Sequence, residues 1–367
     1  MNKKIIIIGI IILLISLSLS GCIKQDNNYE KINIIGETAL NGVYDPSIEY
    51  DQNGTGWMAY SPVEAPEYVH THLAKSMDHG KTWSYVQTIN QGKNGTIILE
   101  NETEINGVWR HEVSSLVNDP NDPGKEWKIF WHKYFAISPY EAENRLFQYG
   151  WIAYKYASHP MGPWSEEIPL FGSGIFPPEP YETIIDLSSL HEDLNEFVVY
   201  SEPGSLVVDD IMYLSLNGHV IINDQNIGKT ILLSSDDHGE TWQYVNTLLE
   251  PNNSKEYGGL YFSGSSLVEE EGRLFLFACP DNPDGNLKQH FGTCIYEFED
   301  ITKGILIRDE NEELMIHKYL KTTLISGGQS DYDEQNTYGG IIMPQQNYSA
   351  FPEIFQIFNT KEKIISN

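Results

Sequence analysis

The sequence predicts an all-β chain folded as a five-bladed β-propeller, with six blades as the alternative count. Three observations carry this expectation. The phrase Ser-x-Asp-x-Gly-x-Thr-Trp occurs twice, at Ser76–Trp83 and at Ser235–Trp242, each time after an apolar run of strand character. A fixed phrase that returns after a long interval marks a repeat architecture. Short alternating runs bounded by Gly, Asn, Asp and Pro recur along the chain, and no stretch keeps a long helical period. Lastly, five segments share one plan: a small or acidic start, a strand, a polar turn and a second strand rich in aromatics. The two innermost strands of a propeller blade read this way.

The elements follow in order. Lys3 and Lys4 precede the apolar run Ile5–Leu19, and Leu19-Ser20-Gly21-Cys22 closes it with small residues, the plan of an export signal. With Cys at the end it resembles a lipoprotein signal. That implies removal of residues 1–21, lipidation of Cys22 and an extracytoplasmic chain held at the cell membrane. An uncleaved anchor is the alternative, since Ile5–Ile23 is almost long enough to span a bilayer. Residues 22–31 are then a polar tether and residues 32–367 the propeller, expected as a monomer. Ile32–Ile35 reads as an outer strand closing the ring against the last blade.

The first repeated unit runs from Tyr44–Ile48 to Trp57–Ser61, and the second from Arg110–Val117 to Trp127–Trp131. The third joins Ser201–Val208 to Ile211–Ser215, and the fourth joins Ser263–Val268 to Arg273–Phe277. A weaker fifth joins Tyr338–Ile342 to Glu353–Phe358, while Phe171–Asn195, rich in Pro and acids, reads as an insertion between blades two and three. The repeated phrase is a tight turn in which Asp caps backbone N–H groups, Gly takes positive φ and Trp folds back as a lid. It resembles the Asp-box of sialidase-type propellers, which implies a place on the blade rim, away from any active site. In the second unit Ala157-Ser158-His159-Pro160-Met161-Gly162-Pro163-Trp164 takes the same place. It resembles the Ser-x-Pro-x-Gly-Pro-Trp/Phe segment of five-bladed glycoside hydrolases such as family 43.

A net charge of −29 argues against a nucleic-acid partner, because phosphate binding needs clustered Lys and Arg. Cys279 and Cys294 flank a turn-rich segment, so export favours a disulfide between them, with a buried unbridged pair as the alternative. Asp281, Asp284 and Asn286 in that segment have oxygens suited to Ca²⁺, although a plain turn is the commoner outcome of such a composition. A divalent cation there or in the channel is the one cofactor the sequence suggests.

Inner strands of a propeller begin near one end of the central channel, and the starts predicted here carry Asp45, Glu112 and Glu202. Glycoside hydrolysis needs carboxyl groups so gathered: one protonates the leaving oxygen while another activates water or attacks. Asp45-Pro46-Ser47 matches the general-base phrase of family 43, and the resemblance implies that role for Asp45. Ser201-Glu202-Pro203-Gly204-Ser205 falls where that family carries a pKa-tuning Asp, here a Glu. Blade four departs from the family, with Ser263-Gly264-Ser265 where an acidic Glu-Gly-Pro phrase is expected, so Glu202 or Glu112 would take the acid role. Trp109, Arg110, His111 and His219 are expected to line a carbohydrate pocket, joined by His72, which shares a strand face with His70. Scattered strand histidines of this kind also fit a divalent metal, though hydrogen-bonded channel residues are the commoner case. A true sialidase is disfavoured: that family binds its substrate carboxylate with three arginines, and this chain has only Arg110, Arg145, Arg273 and Arg308. The expected function is an extracytoplasmic, lipid-anchored propeller that binds and cleaves oligo- or polysaccharides. The alternative is a non-catalytic surface propeller that binds glycan or protein.

Overall fold

The computed structural model describes residues 29–365, apart from 100, 141–143, 173–182, 223–224, 283–289, 322–324 and 337–339. The leader with Cys22 and most of the tether lie outside the described residues. So do Asp284 and Asn286.

Five sheets stand around a common axis, each built on an antiparallel meander to which short edge strands are added. Blade one starts from Val43–Tyr50 and continues through Gly56–Glu64, Thr71–Ser76 and Trp83–Asn90. Blade two comprises Glu104–Asn118, Trp127–Ala136, Arg145–Ala157 and Ile168–Gly172. Its inner strand is extended by pairing with Lys93–Ile98. Val199–Val208, Ile211–Ile222, Gln225–Ser235 and Gln243–Leu249 build blade three. Blade four runs from Tyr261–Glu270 through Arg273–Asp281 and Thr293–Asp300 to Ile316–Leu320. The inner strands of adjacent blades touch all the way round, including blade five against blade one.

Blade five corrects the expected register. Ile341–Gln346 is its second strand, and the innermost one is broken into Ile325–Ser326 and Asp331–Tyr332 around Gly327 and Gly328. Both glycines have positive φ, +128 and +93. Closure also differs from the expectation by a few residues. Glu30–Lys31 pairs with Phe355–Asn359 to complete blade five, while Ile34–Ile35 lies parallel to Trp83–Asn90 at the outer edge of blade one. The N-terminal segment therefore staples the last blade to the first.

The two repeated phrases fold into the same turn between the third and fourth strands of blades one and three, with the same Ser and Asp bonds; Trp242 Nε1 also donates to Gly239 O at 2.9 Å, a bond Trp83 Nε1 does not make. Ser76 Oγ accepts from Gly80 N, and Asp78 Oδ1 accepts from Thr82 N, both at 2.9 Å. Ser235 and Asp237 repeat this with Gly239 and Thr241, both at 2.8 Å. The residue before each Gly, His79 and His238, also takes positive φ. Trp83 and Trp242 are buried beneath the turns, and Ala157–Trp164 occupies the equivalent corner of blade two, where Trp164 Nε1 donates to Pro160 O at 3.0 Å.

Between blades, side-chain hydroxyls replace a continuous apolar core along the channel. Ser115 Oγ meets Ser205 Oγ at 2.8 Å, Ser215 Oγ meets Ser265 Oγ at 2.9 Å, and Leu116 N donates to Ser47 Oγ at 3.0 Å. Small hydroxyl residues let the strands converge while satisfying polar groups that the tight ring removes from water. Below this belt the far mouth of the channel opens into a cavity of about 170 Å³ whose lining includes Glu49, Ser266 and Asp331.

Cys279 and Cys294 are both buried free thiols, which corrects the expected disulfide. Ala278 is the residue paired with Cys294. Cys279, one place along, therefore points to the opposite face of the sheet. Cys294 packs in an apolar cluster with Ala278 and Tyr296, whereas Cys279 Sγ sits 3.5 Å from His290 Nδ1.

Candidate active site

The same irregularity in four inner strands builds the site. In blades one to four, two inner-strand residues stand opposite one on the neighbouring strand: Asp45-Pro46, Val113-Ser114, Glu202-Pro203 and Gly264-Ser265. Such a bulge kinks the strand and re-aims its side chains. The leading residue has positive φ in each: +48 at Asp45, +52 at Val113, +56 at Glu202 and +56 at Gly264. A non-glycine residue there is strained, and such strain clusters at functional sites. Two of these bulges thus present Asp45 and Glu202 to the channel mouth, and Glu112 immediately precedes the third.

The carboxyl groups feel one another. Burial pushes the Asp45 carboxyl well above the usual range, and the charges of Glu112 and Glu202 push it further. Its Oδ1 accepts from Gln329 N at 3.1 Å. Burial also raises Glu202, opposed by the Gly264 N–H at 2.9 Å and the Asn217 amide at 2.5 Å, both donating to its Oε2. Glu112 accepts from the Tyr134 hydroxyl.

Two further residues that the sequence did not single out for this mouth complete the group. Asp281, expected as a loop oxygen for calcium, ends the second strand of blade four opposite Tyr261 and is 7% exposed. Burial lifts it to about 7, against the opposing influence of the Asn282 N–H, Ser263, Arg145 and Tyr261. Arg145, at the start of the third strand of blade two, brings a guanidinium to this mouth; burial works against its charge, but Tyr134, Glu112, Asp281 and Glu202 outweigh it and raise its already high pKa. Its Nε is buried without an acceptor.

The five expected pocket residues are mostly placed elsewhere. Glu112 faces the channel, so strand alternation turns Trp109 and His111 the other way. Trp109 packs on Trp151 at 5.3 Å, with the Lys133 ammonium 5.2 Å from its ring. His111 lies beside Trp131 at 6.1 Å, and burial, then Lys133 and Lys155, hold its imidazole well below the usual pKa. Arg110 shares the face of Glu112 but spends its guanidinium on the carbonyls of Pro66 and Glu67. His72 stands on the third strand of blade one, where its Nδ1 meets Glu37 Oε2 at 2.8 Å beside a separate polar pocket of about 240 Å³. Burial would raise Glu37, but hydrogen bonds from His72 and Tyr60 outweigh it and pull the carboxyl down to about 2. Only His219 reaches the mouth, with its ring 5.7 Å from Tyr261. Among the described residues, no group of three or more His, Cys, Asp or Glu is arranged to hold a metal ion.

Buried carboxyls that keep protons make stability fall as pH rises. Asp281 at the upper mouth and Asp331 at the lower are each pushed to about 7, chiefly by burial, from an ordinary 3.8. The folded chain therefore binds more protons than the unfolded chain between about pH 4 and 7. This stabilisation is complete below the lower value and lost as pH passes the upper one. The expected result is a lower Tm at pH 8 than at pH 5, with a shallower fall in Asp331→Asn, whose amide oxygen still accepts from Ile48 N. An equal slope in the variant would remove Asp331 from the account.

No family model matches the chain. A sialidase from Paraclostridium sordellii is 23% identical, the match covering 71% of this chain and 72% of that protein. Among solved structures, a thermostable family 43 glycoside hydrolase superposes with a TM-score of 0.50 at 12% identity over 90% of this chain and 91% of that one. A family 117 glycoside hydrolase from Zobellia galactanivorans gives 0.51 at 12% over 93% and 92%. An exo-β-1,3-galactanase from Clostridium thermocellum gives 0.54 at 10% over 90% of this chain and 62% of its own. At these identities the likeness is one of fold, and it places the chain's five-bladed ring beside those of family 43 and family 117 glycoside hydrolases.

Proposed function

We propose that this propeller hydrolyses glycosidic bonds of oligo- or polysaccharides at the upper mouth of its channel, outside the cytoplasm and anchored through a lipid on Cys22. The observation that carries the reading is the convergence of Asp45, Glu112, Glu202 and Asp281 from four blades on one mouth. Burial and like charge hold the Asp45 carboxyl well above its usual range, and burial raises Glu202 and Asp281. A protonated carboxyl beside an ionised one is the division of labour glycoside cleavage requires. Asp45 serves as base or nucleophile when it is the ionised member, and Glu202, held by Asn217 and the Gly264 N–H, sets its charge.

A specific observation favours the non-catalytic reading. Glu112 and Glu202 each already accept protein hydrogen bonds, as scaffold carboxylates do. The two readings separate on one experiment. The soluble chain is assayed against a panel of aryl glycosides and oligosaccharides, alongside Glu202→Gln. Turnover lowered at least tenfold in the variant supports the enzyme. Glycan binding without turnover by the wild type supports the rival, and neither binding nor turnover on a broad panel overturns both.

A further inference from the structure

We infer that Asp281 is the general acid of this site, standing in for a carboxyl that the inner strand of blade four has no room to carry; the inference rests on the hydrolase reading above. Gly264 occupies the bulge position that holds Asp45 in blade one and Glu202 in blade three. A Cβ built on it would lie 2.5 Å from both Gln329 N and Gly328 C, which are backbone atoms of blade five. No side chain fits there without moving that blade, so the fourth slot is sterically shut. Its backbone still contributes, since the Gly264 N–H holds Glu202.

The neighbouring strand supplies what the slot cannot. Asp281 ends that strand at the same mouth, with Cys279, Tyr261 and His290 around it from its own blade. From the other blades it faces Tyr44 of blade one, Arg145 of blade two and Glu202 of blade three. Asp281 Oδ1 is buried and accepts no hydrogen bond, its nearest ion-pair partner being His290 Nδ1 at 3.9 Å. A buried carboxylate oxygen left this way is costly, whereas a neutral carboxyl that keeps its own proton is far less so. That proton needs an acceptor, and a glycosidic oxygen seated at the mouth is one. Burial keeps the group protonated to near neutrality, which suits an acid that must reload each turnover.

The step balances with the parts present. The Asp281 proton passes to the glycosidic oxygen as its bond to the anomeric carbon breaks, and the bonding pair stays on that oxygen. The leaving group departs as a neutral alcohol. Water bonds to the anomeric carbon and gives its proton to Asp45. Asp281, now a carboxylate beside Arg145, takes up a proton from solvent while Asp45 releases one.

The test compares wild type, Asp281→Asn and Arg145→Gln on glycosides of one sugar with leaving groups from dinitrophenol to an alkyl alcohol. Asp281→Asn is expected to lose about 10²- to 10⁴-fold on the alkyl glycoside. On the dinitrophenyl glycoside, which needs no proton, it should lose less than about tenfold, and its pH profile should lack the alkaline limb near 7. Arg145→Gln should move that limb to higher pH by removing a charge that favours the carboxylate. An equal loss on every leaving group, no loss at all, or an unmoved limb in Arg145→Gln would overturn the assignment while leaving the hydrolase reading intact. Should Asp281→Asn not fold, the Arg145→Gln limb decides. A wild type that turns over no glycoside overturns both.

Discussion

Asp45→Asn is expected to lower kcat by about 10²- to 10⁴-fold on any glycoside the wild type cleaves, while leaving the protein as stable or more so. The side chain keeps its shape, and an Asn Oδ1 still accepts from Gln329 N. What disappears is a titratable group that burial and the charges of Glu112 and Glu202 have pushed far from its ordinary range. Neutralising it relieves that repulsion, so function and stability move in opposite directions. A residue kept for structure would do the reverse. Paired kcat and Tm measurements decide, and a fall of several degrees with activity retained would place Asp45 in the scaffold instead.

Lys128→Ala is expected to cost about 3–5 kcal/mol of folding stability, because it leaves buried charge without its partner. Lys128 is 2% exposed and lies in the second strand of blade two. Its Nζ lies 3.3 Å from Asp119 Oδ2, 2.8 Å from Asp122 Oδ2 and 3.1 Å from Lys125 O. Asp119 is 1% exposed, and its Oδ2 also meets His238 Nδ1 at 3.0 Å, within the second repeated turn. The group thus joins the turn after blade two's inner strand to the rim of blade three. Denaturant unfolding measures the loss, and a change below about 1 kcal/mol would show that the aspartates have other support. Pairing Lys128→Met with Asp119→Leu should recover much of it, since no buried ion is then left alone.

The inner strands of blades one to four were legible because each has a small or acidic start and is followed by a polar turn and a second strand rich in aromatics. Blade five was not, because its inner strand is cut by Gly327-Gly328 into two-residue pieces with no alternation to detect. The stronger signal at Ile341–Gln346 belonged to the second strand. Asp45, Glu112 and Glu202 were legible as acids at the expected strand starts, although Glu112 stands in the middle of Glu104–Asn118. Trp109 and His111 lie close to Glu112 in the chain, but the two-residue period of a strand sends them into the packing between blades. Asp281 and Arg145 come to the mouth only through tertiary placement, from the end of a second strand and the start of a third. The signal available for Asp281 was its position three residues beyond the apolar run Leu274–Ala278, close enough to end that strand rather than join a loop.

The four inner-strand kinks and the glycine break in blade five also limit how this protein can change. Blades one to three accept side chains at the kink, as Asp45, Val113 and Glu202 show. At blade four the equivalent glycine is shut by the backbone of blade five. At blade five a Cβ on Gly328 would meet Tyr44 Cε1 at 2.8 Å and Asp45 Oδ1 at 2.9 Å. Variation that rewrites the chemistry of this ring therefore has three positions open to it, all on one side. The opposite side, where blades four and five lock backbone to backbone, is fixed as the anvil against which any new specificity must be shaped.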